Sequence, residues 1–361
     1  MIKKILPVFV SFFLLLLTGC GPDVPDNPPD VTVGQGVMIL NEGNFTYANS
    51  TLSFYDPEAD TVSNYLFYRA NGSPIGDTGQ SLCAMDGKLY IVVNGSGYIY
   101  KVDAKTICCD TTKPYILADL ASPRYMIPIS HDKAYVSDLM SKQMWIINPQ
   151  TMSLMGSIEM GKPTETMVQV GSEVYVANWS RFYANDIQNN SVQVVDARND
   201  IKVAEIEVGY EPKGMVVDKN GTVWVMCEGD ANDFDVPSTL WKIDSHTRVS
   251  SLVKTFERRA SSLAVDPTGS ILYYCHTCSD FTNTELRRMY VDNPSYEDDF
   301  CIPSEGRTFY TIAVDPRNGE LYVPDAKNYV MNGTVYRYTS DGLLLSSFDA
   351  GISPGFFLFV N

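Results

Sequence analysis

Charge is scarce in this chain, and basic charge scarcer. Only 19% of its 361 residues are Asp, Glu, Lys or Arg, and 27 Lys and Arg stand against 43 Asp and Glu, for a net charge of −16. Phosphate backbones need a basic surface, so the balance argues against nucleic acid as a partner. The surplus of negative charge reads as a solubility feature of an exposed protein. Histidine is nearly missing: His131, His246 and His276 are the full set. No Gly-x-Ser-x-Gly elbow and no sialidase-type Asp box occurs, and the three histidines are not placed to serve a nucleophile, so serine-hydrolase chemistry lacks its framework. Only carboxylates paired by folding stay open to an enzyme reading. Helical periodicity is absent throughout, and the one long apolar run, Ile5 to Leu17, is too short for a membrane-spanning helix.

What is present is a beat. Short apolar strand ends followed by a turn residue recur at Asp56, Asp103, Asn148, Asp196, Asp244, Asp292 and Thr339, at intervals of 45 to 48 residues. A period of that length built from strands and turns marks a β-propeller with one repeat per blade. Each full repeat holds a buried-looking aromatic, at Tyr90, Tyr135, Tyr175, Trp224, Tyr273 and Tyr322, inside a β-branched run. A shorter apolar run precedes it, anchored by Leu82, Met126, Met167, Met215, Leu263 and Ile312, and reads as the innermost strand of the blade. Turns such as Asp86-Gly87 and Pro267-Thr268-Gly269 lie between the two runs.

The first repeat opens at VMILNEGN with the second strand and lacks an innermost one. The last residues, SPGFFLFVN from 353 to 361, match the missing strand, with Phe357 in the anchor position. The expected fold is therefore all-β, a seven-bladed propeller of four-stranded antiparallel blades closed by the C-terminal strand in the first blade.

Ahead of the propeller, Lys3 and Lys4 precede the apolar run, which ends in Leu17-Thr18-Gly19-Cys20. That pattern is a secretion signal with a lipobox, in which the Cys20 thiol receives the diacylglycerol. The organisation expected is a lipoprotein signal peptide over 1–19, the lipidated Cys20 and a Pro/Asp-rich tether over 20–35, and the propeller over 36–361.

Cys20 aside, seven cysteines remain, an odd number. Cys83 reads as a small buried hydrophobe, and Cys227 and Cys275, on equivalent strands of successive blades, stand too far apart to bond. The run Cys275-His276-Thr277-Cys278 has half the ligands of a structural zinc site and no second pair to complete it, which leaves free thiols or a short local disulfide. The loop from Gly229 to Asp235 gathers three carboxylates and an amide that calcium would accept, yet its spacing misses the helix-flanked calcium loop, and acidic loops of this kind are usually just solvated. No metal and no cofactor are assigned.

Long loops gather on one face of the propeller, at 41–49, 177–190, 227–239, 275–285 and 324–333, while the opposite face has short hairpins. Function concentrates on long loops carried by a rigid scaffold. By position these loops offer Asn44, Phe45, Tyr47, Asn49, Trp179, Phe182, Tyr183, Asp230, Phe234, Phe281, Asn328 and Tyr329. The crossovers between blades add Arg69, Arg124, Tyr125, Glu165, Lys213, Phe309 and Tyr310. Flat apolar area beside many hydrogen-bonding groups suits a large amide- or hydroxyl-rich ligand. Aromatics of this kind also cap blade cores.

Taken together, the lipobox at Cys20, the opening VMILNEGNF, the blade motifs KPTETMVQVGSEVYVANW and EPKGMVVDKNGTVWV, and the closing SPGFFLFV resemble the YncE-like, surface-layer-type seven-bladed propeller lipoproteins of Bacteroidetes. The resemblance spans about residues 36 to 361 and is greatest to their BtuG-type cobalamin-binding members. It implies a non-catalytic corrinoid-binding protein that passes its ligand to a TonB-dependent transporter of BtuB type. It implies too an outer-membrane lipoprotein facing the cell exterior, held to the membrane by its lipid alone and otherwise monomeric. Asp23 and Asp26, soon after Cys20, are similar to the export signals of such lipoproteins. A glycan-binding or adhesion propeller, and a propeller lactonase or lyase, are the alternatives.

Overall fold

The computed structural model describes residues 31–360 apart from 112, 116, 118, 119, 180–188, 231, 232, 234, 258, 278–283 and 297. Cys20 and the signal segment lie outside the described residues. Seven antiparallel sheets follow one another along the chain, six of four strands and one of three. Blade 1 is made of Gly36–Asn41, Thr51–Asp56 and Thr61–Ser63 plus the chain's last strand, Pro354–Val360, which pairs with Gly36–Asn41 from Gly36 against Val360 to Asn41 against Pro354. The ring closes as the sequence predicts.

The beat has a local cause. At Asp56, Asp103, Asn148 and Asp244 the side-chain oxygen accepts the backbone N–H groups two and three residues on, for example His246 at 2.9 Å and Thr247 at 2.8 Å on Asp244 Oδ1. Such Asx turns reverse the chain between third and fourth strands. The residue four after the beat takes a left-handed conformation in five blades, at Asp60, Ile107, Met152, Asp200 and Arg248, with φ from 52° to 58°. In four of these its N–H returns to the beat carbonyl, as in Arg248 to Asp244 at 2.7 Å.

Four of the recurrent aromatics reach across to these turns, while Trp224 donates within its own blade to Asp218. Tyr90 donates to the carbonyl of Pro149 at 2.8 Å, Tyr175 to that of Ser245 and Tyr273 to that of Ser340, each in the next blade's turn, and Tyr135 donates to Asp200. Their rings are fully buried between neighbouring sheets, where the core lies: Tyr175, Val192 and Val194 of blade 4 pack on Val223, Val225 and Ile243 of blade 5. Burying an aromatic of this size stabilises by about 1.5 to 3 kcal/mol. The two sequence markers are thus halves of one device that joins blade to blade.

Three features depart from the expected regularity. Blade 2 has three assigned strands, Gly79–Met85, Lys88–Val93 and Tyr98–Asp103, and its outer place is taken by an irregular edge bridged at Cys109 and Tyr115. A short helix, α1 (Leu66–Asn71), lies between blades 1 and 2, with Leu66 and Phe67 buried against Ile75 and Ile107. Six residues are too few to leave a periodic signal. Third, the segment expected to be tether is partly docked: Val33 is buried and its N–H donates to the Lys105 carbonyl at 2.8 Å, in the blade 2 turn on the hairpin face.

Candidate functional site

Each innermost strand begins on the long-loop face, and in five of the seven blades its ladder is interrupted there. Register shifts fall between Gly79 and Ser81, Pro123 and Met126, Pro212 and Gly214, and Ser261 and Leu263, and the terminal strand skips Gly355. A bulge turns a side chain out of the ladder. The residues released are Gln80, Arg124, Tyr125, Lys213, Ser262 and Gly355, and all of them line one cavity of about 620 Å³ at the centre of the ring. Counting two residues back from each strand anchor gives one position per blade: Gln80, Arg124, Glu165, Lys213, Ser261, Tyr310 and Gly355.

These side chains interlock. Arg124 donates Nε and Nη2 to the two oxygens of Glu165 at 2.6 and 2.8 Å, and Nη1 to Gln80 Oε1 at 2.5 Å. Burial opposes the Arg124 charge, but the Glu165 carboxylate more than offsets it and holds the guanidinium ionised. Beneath both cations lies Trp179, with the Arg124 guanidinium 5.6 Å and Lys213 Nζ 4.9 Å from its ring centre. Lys213 also stands 3.3 Å from Glu228. Burial would lower its pKa; Glu228 and Glu165 raise it instead.

Across the cavity, Tyr310 donates to Glu42 Oε2 at 2.7 Å and packs edge-on against Tyr329, their centroids 5.8 Å apart. Glu42 fills the place that Gly355 leaves open, since a Cβ there would fall 2.2 Å from Glu42 Oε1. Enclosure pushes the Glu42 carboxyl above its ordinary value, against the Tyr310 hydrogen bond and the Arg124 charge. Burial and the neighbouring carboxylate lift the Tyr310 phenol well above its own.

Among the residues expected from loop and crossover position, Arg124, Tyr125, Trp179, Lys213, Phe309, Tyr310 and Tyr329 line this cavity. Outside the lining, Phe45 and Tyr47 are 70% and 74% exposed in the blade 1 loop, which Asn44 ties to the lining residue Tyr329, and Val330 and Met331 are exposed next to Tyr329 in the blade 7 loop; we call these four the rim. The asparagines hold the loops in shape: Asn44 N and Asn44 Oδ1 bond the Asn49 amide at 2.7 and 3.0 Å, Asn44 Nδ2 donates to the Tyr329 carbonyl, and Asn328 Oδ1 accepts the N–H groups of Val330 and Met331. Arg69 lies on α1, and Asp230 sits in the blade 5 loop with its N–H on the Val236 carbonyl; neither lines the cavity. Phe182, Tyr183, Phe234 and Phe281 lie outside the described residues.

Glu42, Gln80, Glu228, Arg259, Ser261 and Ser262 were not expected and are in the wall. The offset of two from each anchor would have found Gln80 and Ser261. Cys83, Cys227 and Cys275 are free and buried, and burial pushes the Cys83 thiol up to about 12, which keeps it protonated. No group of three or more His, Cys, Asp or Glu among the described residues is placed to hold a metal ion.

In structure the chain is similar to a quinonprotein alcohol dehydrogenase-like protein from Bacteroides thetaiotaomicron (16% identity, TM-score 0.66, 91% of this chain and 78% of that one). It is similar also to the periplasmic gluconolactonase of Pseudomonas aeruginosa (13%, 0.64, 90% and 99%) and to a streptogramin B lyase (10%, 0.58, 89% and 91%). At these identities the likeness is one of fold. No curated protein sequence matches the chain. The model of one family, described as a domain of unknown function, matches residues 35–350, and the chain therefore belongs to the DUF5074 family.

Proposed function

We propose that this propeller is a binding protein that takes a large polar small molecule, a corrinoid first, on its long-loop face. The observation that carries the reading is the pairing of a polar central cavity with an exposed apolar rim: Phe45, Tyr47, Val330 and Met331 stand in water beside a wall that supplies a polar side chain from nearly every blade. Exposed aromatics of this kind mark binding surfaces. A broad ligand with an amide-bearing edge would lie on the rim and send one part into the mouth. With lipid on Cys20, the protein would serve at the outer membrane and pass its cargo to a TonB-dependent transporter of BtuB type.

Mixing the purified protein with cyanocobalamin and passing it over a sizing column tests this. Red colour should elute with the protein. Its absence at micromolar concentrations removes the corrinoid, and a glycan array then asks whether the same aromatics are sugar platforms.

A second reading rests on Glu42 and Tyr310. A carboxyl with a raised pKa, hydrogen-bonded inside a cavity that also contains Arg124 and Lys213, is equipped to move a proton to or from a bound lactone or elimination substrate. Gluconolactonases and a lyase share the fold. Hydrolysis of gluconolactone abolished by Glu42→Gln would favour this reading, and no turnover above the buffer rate would remove it.

A further inference from the structure

We propose that the cavity contains an anion subsite on blades 5 and 6, formed by Lys213, Arg259, Ser261 and Ser262, so that the part of the ligand entering the mouth carries a carboxylate or phosphate group. The proposal rests on the reading of the long-loop face as the binding surface and adds the charge of what is bound there.

Several positions of the ring are already used. On one side Gln80, Arg124 and Glu165 are bonded to one another, and on the other Tyr310 is bonded to Glu42. Between these closed groups come Lys213, 3.3 Å from Glu228, and then blade 6, where the position belongs to Ser261, whose side chain is shorter than those of Lys213 and Tyr310 on either side. The Ser261 and Ser262 hydroxyls have no hydrogen-bond partner among the described residues. The bulge that turns Ser262 inward holds it at φ 53°, a left-handed conformation that a serine adopts at a cost. Two unspent donors therefore face the cavity at a strained position.

Two cations stand beside them, against the single carboxylate of Glu228. Lys213 Nζ is anchored over the Trp179 ring and stays protonated despite burial. From the next blade Arg259 lines the same wall, steadied by an Nη1 bond to the Glu228 carbonyl at 3.0 Å. An ammonium, a guanidinium and two hydroxyls around a recess make the donor set that a carboxylate or phosphate takes up. A neutral polyol could accept hydrogen bonds from the same groups but would gain no ion pairing from the cations.

Equilibrium urea unfolding of the whole protein tests the subsite, in inorganic phosphate or in acetate, at an ionic strength matched with sodium chloride. A ligand that binds only the folded state raises the unfolding midpoint as its concentration passes its dissociation constant. The expected result is a saturable upward shift over chloride that is lost in Lys213→Gln and retained in Lys105→Gln, an exposed lysine on the opposite face. Ser261→Val, which fills the recess with Lys213 intact, should also abolish the shift and serves if Lys213→Gln does not fold. A shift with phosphate alone assigns a phosphate group, and one with both anions a site open to carboxylates. No shift beyond chloride, or the same shift in Lys213→Gln as in wild type, overturns the proposal. Cyanocobalamin co-elution is read separately, so a protein that binds the corrinoid without a Lys213-dependent anion effect keeps the binding reading and loses the subsite.

Discussion

Arg124 and Glu165 form a nearly dry ion pair, with the Glu165 side chain fully buried and that of Arg124 10% exposed. Removing one member strands the other, and breaking a buried pair in this way costs about 3 to 5 kcal/mol. Arg124→Ala should lose that much in urea unfolding, while Arg124→Met combined with Glu165→Leu should recover most of it. A loss below about 1 kcal/mol for the single change would mean that water reaches the pair as freely as it reaches a surface one. Glu42 responds to pH with the opposite sign from a salt-bridged acid. Its folded pKa lies above the ordinary value, so ionisation costs more in the folded state, and stability falls as pH rises from the ordinary carboxyl value through the raised one. Wild type and Glu42→Gln should unfold alike in acid, and the variant should become the more stable above that window. Curves that run parallel across the whole range would contradict the enclosure of this carboxyl.

Single elements show where the sequence was readable and where it was not. The beat was legible because an Asx turn is a local device: Asp244 and the two N–H groups it accepts lie within four residues of one another. Asp244→Ala should therefore lower the urea midpoint, whereas Asp244→Asn should leave it nearly unchanged, as Asn148 already fills this role in blade 3. The terminal strand was legible as an orphan of the repeat. Deleting residues 353–361 uncovers the ladder edge of Gly36–Asn41 and removes Phe357 and Phe359 from Tyr322, 6.3 and 5.6 Å away between ring centres. The truncated chain should aggregate or lack near-ultraviolet dichroism, and a soluble monomer with a cooperative transition would refute the closure argument. The bulges were not legible. Whether Lys213 points into the ladder or into the cavity depends on one skipped pairing, and the sequence around it, EPKGMVV, reads as a strand either way.

On the scale of the whole molecule, the long-loop face was foreseen but the division of labour within it was not. Asn44 and Tyr329 meet across 285 residues of chain, so no local pattern announces that the asparagine fastens two loops together and leaves Phe45 and Tyr47 to face solvent. Trp179, expected to be offered to a ligand, is 5% exposed and carries Arg124 and Lys213 instead. The clean probe of binding is therefore the rim: Phe45→Ser with Tyr47→Ser should weaken ligand affinity about tenfold or more with the melting temperature unchanged. Unchanged affinity would move the contact to another sector of the face.

The docking of Val33 on the Lys105 carbonyl has a geometric consequence. The chain enters the propeller from the hairpin side, and its first strand runs from there to Glu42 at the mouth. Anything that grips the protein by the residues before Val31 holds it like the stem of a goblet. The bowl then opens away from the hand, free to meet whatever arrives from the far side.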